Sequence, residues 1–208
     1  RLPETIDSLR QVLVLAPGDR EAALSLARAF VELDKADDAL QAFDRALAIT
    51  LAHEGGVSNH AADRGGLTKW GVTQGAYDRW RVKTGQAPRP VTEMTEAEMR
   101  AVYLDDYWMP ARCDELPEEL AAVVFDMAVN SGVDRAVRTL QRALGVAIDG
   151  VVGPETLSAA HQAGPYVALT FLKHRAALYR DIVRDDPSQV VFLAGWINRL
   201  LEQAWRHA

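Results

Sequence analysis

His53-Glu54-Gly55-Gly56-Val57-Ser58-Asn59-His60-Ala61-Ala62-Asp63-Arg64-Gly65-Gly66-Leu67-Thr68-Lys69-Trp70-Gly71 is the stretch around which the chain is organised. Ahead of it Ala39, Leu40, Phe43, Ala46, Leu47, Thr50 and Leu51 recur at helical spacing. Gly55-Gly56 stops that helix, because glycine takes the left-handed conformation that closes a last turn. Glu54 therefore falls near a helix C-terminus, where the negative end of the dipole disfavours a carboxylate and raises its pKa. A carboxylic acid that keeps its proton near neutral pH is suited to protonating a glycosidic oxygen. Asp63 follows nine positions later and Thr68 five after that. The glycine-rich backbone between them can fold back over the helix end and bring a second carboxyl group towards the first. Such a pair could protonate a leaving oxygen and position water or steady an oxocarbenium ion. A solvated Glu54 at a frayed end, and Asp63 as an ordinary turn residue, remain open on spacing alone.

The wider sequence makes the pattern specific. EGGVSNHAADRGGLTKWGVTQ (54–74), VYLDDYW (102–108), FDMAVNSG (125–132), LQRALGVAIDGVVGPETLSA (140–159) and FLAGWINRL (192–200) together resemble glycoside hydrolase family 108, the bacterial and phage N-acetylmuramidases. The resemblance covers about residues 42–205. It implies a lysozyme-like helical catalytic domain, Glu54 as the catalytic acid, and a helical peptidoglycan-binding domain after the catalytic part. The Glu, Asp, Thr order also looks like the catalytic trio of phage lysozymes. The family usually carries Tyr after EGG, and Val57 stands there instead, which removes an aromatic contact near the acid.

Composition limits the other classes. A chain of 208 residues, 49% of them hydrophobic, can bury one core and carry an appended module. The net charge is −6 with no basic stripe, so nucleic acid is a poor partner. A wall polymer is itself anionic, so binding to it has to come from groove contacts rather than long-range steering. Cys113 is the one cysteine and reads as a small buried hydrophobe with no partner for thiol catalysis. The five histidines show no HxxxH or HExxH spacing, and neither a metal nor another cofactor is expected. No 18-residue apolar run is present, so no membrane span is expected, and no signal peptide is visible.

Taken in order, residues 1–16 read as a helix, about 20–33 as a second, and a third begins near Ala36 after Asp34-Lys35. Ala27, Phe30, Ala39, Phe43 and Ala46 fall where a tetratricopeptide repeat places them, which predicts a helical hairpin that binds a partner protein or self-associates. The third helix runs on towards Glu54. Thr73 to Arg81 predicts a short helix. Thr95 with Glu98 predicts a capping box for a helix reaching about Trp108. Residues 117–131, 134–144, one opened by Gly153-Pro154, 166–184 and 190–206 complete a mainly α fold, with at most a small hairpin near 57–72. The expected domains are 1–41 (repeat-like helices), 42–137 (catalytic) and 138–208 (peptidoglycan-binding).

Tyr107 and Trp108 are candidate sugar platforms, since aromatic rings offer large amphipathic faces; core packing is the alternative for each. Asp126 and Asn130 share one face of an apolar helix and need polar partners, either the sugar or a neighbouring segment. The expected activity is cleavage of the β-1,4 bond after N-acetylmuramic acid in peptidoglycan glycan strands, at the cell envelope. Two other readings stand beside it: a non-catalytic wall-binding adaptor, and a lytic transglycosylase.

Overall fold

The computed structural model describes residues 8, 11, 20–52 and 67–206. The helix expected over residues 1–16 therefore falls almost wholly outside the described residues, as does most of the glycine-rich loop. The described chain is mainly α, with one two-stranded antiparallel hairpin. By contact density it divides into a unit of residues 1–42 and a unit of residues 43–208.

The first long element corrects an expectation. Helix α1 (Arg20–Leu51) runs unbroken for 32 residues, through the Asp34-Lys35 position where a turn was expected. No glycine or proline lies between Arg20 and Leu51. Asp and Lys inside a helix cost only fractions of a kcal/mol each, about 0.7 at most. The antiparallel hairpin that a tetratricopeptide repeat requires is thus not formed over these residues.

In the unit from Phe43 onward, local sequence signals place the remaining elements. The hairpin pairs β1 (Thr68–Lys69) with β2 (Val72–Thr73). Thr73 then caps α2 (Gln74–Lys83), its hydroxyl accepting from the Ala76 amide. The capping box forms at α3 (Glu96–Tyr103): the Glu98 amide donates to Thr95 Oγ1, and the Thr95 amide to Glu98 Oε2. The helix does not continue as α to Trp108. Residues Leu104–Trp108 make a π turn, in which the Met109 amide reaches back to Leu104 O at 2.9 Å. The extra residue in that turn delivers Trp108 into the core.

Four further helices follow the short loop after it: α4 (Glu118–Ser131), α5 (Val133–Leu144), α6 (Pro154–Gln162) and α7 (Val167–Asp185). The last is α8 (Val190–Arg206). Buried Gln141 orders the α5–α6 connection. Its Nε2 donates to Asp149 Oδ1 and its Oε1 accepts from the Gly150 amide. Gly150 has φ +83°, and a Cβ there would meet the Asp134 carboxylate and Arg138 guanidinium at 2.9–3.1 Å, so only glycine fits the turn.

Two features hold this unit together. Phe43, Trp108 and Phe125 form a triangle of edge-to-face rings with centroids 5.4–5.8 Å apart, joining the end of α1 to the π turn and α4. Beneath it, fully buried Asp126 on α4 receives Arg175 from α7 and Arg199 from α8. The Arg199 Nε lies 2.9 and 3.1 Å from the two Asp126 oxygens. Burial alone would push the Asp126 carboxyl up, but the two guanidinium groups outweigh it and hold it below the ordinary carboxylate range. Arg175 Nε also donates to Tyr179 Oη at 2.7 Å, and that hydroxyl donates to Asn130 Oδ1 at 3.1 Å. Tyr179 in turn stacks on Trp196 of α8, with centroids 4.8 Å apart.

Removing Asp126 strands two buried cations. Asp126→Ala is expected to lower the unfolding free energy by about 3–5 kcal/mol in urea titrations at neutral pH. Because the folded carboxyl titrates below its unfolded value of about 3.9, its contribution is present above that pH and is lost as pH falls through the folded value. The acid limb of the stability curve should therefore flatten in the variant. Cys113 is buried, and desolvation raises its thiol pKa well above the ordinary value, with Asp114 adding to the rise. A thiol reagent is expected to modify it only in denaturant.

Candidate active site

The segment that carries the expected acid is anchored on its N-terminal side by the last turns of α1. Phe43, Ala46, Leu47 and Thr50 are buried there, and the surface pairs Asp44–Arg100 and Arg45–Glu118 flank them. The helix ends at Leu51, and the Ala52 amide still bonds Ala48 O at 3.2 Å. Glu54 and Asp63 themselves lie outside the described residues, as does Val57.

The chain returns at the hairpin that carries Thr68. Thr68 pairs with Thr73 and Lys69 with Val72, leaving Trp70-Gly71 as the two-residue tip. Both tip residues have positive φ, +50° and +75°, as a type I′ turn demands. Glycine suits that position, whereas a bulky tryptophan at positive φ is a backbone outlier. The Tyr103 hydroxyl holds the strained residue in place by donating to Trp70 O at 2.8 Å. The Lys69 ammonium sits 4.4 Å from the Trp70 ring centroid and donates to Thr92 O and Met94 O, both at 2.8 Å. Gln74 adds a second clamp, accepting from the Val91 amide and donating to Arg89 O. Thr68, 8% exposed, is thus carried on a hairpin fastened from two sides.

The structure sorts the other expected site residues. Tyr107 is half-buried, 5.8 Å from Tyr103 by ring centroids, so Tyr103 touches both it and the hairpin tip. Trp108 is 1% exposed within the aromatic triangle, which leaves no face for a sugar, and its expected platform role is corrected to core packing. Asp126 is likewise withdrawn as a sugar contact, because both of its oxygens are taken by buried arginines. Asn130 is exposed at the end of α4 and accepts from Tyr179 Oη, at the outer end of the same polar network.

Tyr103 reads from sequence as core, where the structure places it, but its hold on the hairpin, the role of Lys69 and the positive φ of Trp70 were not read. The small hairpin expected near 57–72 forms at Thr68–Thr73, with its tip at Trp70-Gly71. Among the described residues, no group of three or more His, Cys, Asp or Glu side chains could hold a metal ion. No described helix is long and apolar enough to cross a membrane.

A helical body with, among the described residues, one small hairpin, followed by a packed helical extension, is the lysozyme-like class of glycosidase fold. Residues 47–132 match the glycosyl hydrolase 108 family, and residues 135–201 match a predicted peptidoglycan domain. The chain carries these two regions in succession and is a peptidoglycan hydrolase acting at the cell wall. It is similar to the solved structure of Brucella abortus SagA, with 28% identity and a TM-score of 0.69 over 79% of this chain and 92% of that one. Comparison with curated proteins finds no significant match.

The two family matches meet between residues 132 and 135, yet both lie within the one unit that starts at Phe43. Asp126 belongs to the first match, and Arg175 and Arg199 to the second. The buried ion cluster therefore joins the hydrolase region to the peptidoglycan region.

Tyr103→Phe tests the hairpin clamp. It is expected to cost about 1 kcal/mol of thermal stability, the worth of one buried hydrogen bond. The rate of peptidoglycan hydrolysis should fall further than KM rises, because the change loosens the strand that carries Thr68.

Proposed function

We propose that the enzyme is an N-acetylmuramidase that cleaves the β-1,4 bond between N-acetylmuramic acid and N-acetylglucosamine, with Glu54 as general acid. The observation that carries this reading is the family match across 47–132, which contains the Glu54-Gly55-Gly56 motif three residues beyond the end of a packed helix. A helix C-terminus favours the protonated acid. In this reading Glu54 protonates the leaving glycosidic oxygen as the C–O bond breaks. Asp63 and Thr68 position the water that adds to the anomeric carbon, or steady the oxocarbenium charge. The rigid seat of Thr68 supports that role, because a positioned water tolerates little movement of the group that holds it. Tyr107 and Asn130 are proposed as substrate contacts. The adaptor reading is set aside because the family is enzymatic.

Release of reducing ends from purified sacculi tests the assignment. Glu54→Gln should lose about 10²–10⁴-fold in rate while still binding the wall. An unchanged rate would remove Glu54 as the acid. Mass spectrometry of the products is expected to show hydrolysed muramic ends; 1,6-anhydro ends would instead mark a lytic transglycosylase.

A further inference from the structure

The family match assigns peptidoglycan to residues 135–201 without saying where on them it binds. Three helix ends converge in that region. α5 ends at Leu144, α6 ends at Gln162, and α7 begins at Val167. Between them lies an open groove of about 450 Å³, within the size range of small-ligand sites. Leu144, Ala159 and Ala163 supply apolar walls, Gln162 and Thr170 supply polar groups, and Tyr166 stands at the rim.

Tyr166 is 70% exposed, and among the described residues its ring stacks on no other. It occupies the N-cap position of α7 without making a side-chain cap, so the helix does not account for it.

We propose that this groove binds one N-acetylhexosamine unit of the wall glycan, with the Tyr166 ring against the sugar face and the acetamido methyl on the alanine-lined wall. None of the nine lining residues is charged, which suits a neutral sugar better than the carboxylates of the stem peptides. The ends of α5 and α6 offer acceptor carbonyls to sugar hydroxyls and to the acetamido N–H. The first turn of α7 offers amide donors to the acetamido carbonyl. Small alanines leave room for a methyl group, while the aromatic rim gives area at low entropy cost. Repeated weak contacts of this kind hold an enzyme of net charge −6 on an anionic polymer that would otherwise repel it. The inference rests on the peptidoglycan reading of residues 135–201, and it is independent of which residue is the catalytic acid.

The test is co-sedimentation of the full chain with insoluble chitin, which carries acetamido sugars without stem peptides, and with chitosan, which lacks most of the acetyl groups. Wild type should bind chitin and hold chitosan at least tenfold more weakly. Tyr166→Ala and the groove-filling Ala159→Phe should each weaken chitin binding roughly tenfold. Both should keep the wild-type melting temperature and hydrolyse short soluble glycan fragments at the wild-type rate. Equal chitin binding by Tyr166→Ala and wild type would overturn the proposal, as would equal binding to chitin and chitosan. A binding loss confined to sacculi that carry stem peptides would overturn it in favour of a peptide ligand. A failure of the Glu54 assignment appears separately, as unchanged hydrolysis by Glu54→Gln.

Discussion

A buried carboxylate facing two buried guanidinium groups is the constraint on which the structure from Phe43 onward depends. Asp126, Arg175 and Arg199 come from three helices, 49 and 73 residues apart in sequence. A buried ion cluster adds little net stability compared with a well-packed apolar core, because desolvation offsets the attraction. It is strongly selective, however. Any arrangement that separates α4 from α7 or α8 leaves a buried charge unpaired, so the cluster fixes how the peptidoglycan region sits on the hydrolase region. The Tyr179 hydroxyl extends the cluster to Asn130 at the surface, and the Tyr179–Trp196 stack ties the two closing helices beside it.

The same logic of fastening recurs at the hairpin. A two-stranded hairpin is marginal by itself, and this one carries a tryptophan in a left-handed backbone conformation. Tyr103 from α3, Lys69 reaching two carbonyls and Gln74 bonding residues 89 and 91 supply what the four paired residues cannot. Backbone strain that is held this firmly tends to gather where geometry matters for function. Thr68 lies two residues from the strained position.

How much of this was legible in the sequence follows from the range of each signal. Thr73, the Thr95–Glu98 box and Pro154 act within one turn, and the helices they open were read from sequence close to where the structure places them. Asp34-Lys35 looked like a turn because the repeat pattern asked for one; lacking glycine or proline, the helix passed through. Trp108 and Asp126 stayed open between sugar contact and structural packing, because the partners that decide it are distant in sequence. Arg175 did leave a trace, since it shares the buried face of α7 with Ala168, Phe171, Leu172 and Tyr179. A charged residue on an apolar stripe calls for an opposite charge, and Asp126 on apolar α4 was the evident candidate. The π turn and the left-handed Trp70 had no local sign strong enough to be read.

The most direct test of the account is whether the two matched regions open as one. Native-state hydrogen exchange can compare the slowest amides of α4, on the hydrolase side, with those of α7, on the peptidoglycan side. If the buried ion cluster welds them, both sets exchange with the same opening free energy, and both fall together in Asp126→Ala. If α7 opens at a free energy about 2 kcal/mol or more below that of α4 in the wild type, the two regions are separately folded and the cluster is not what unites them.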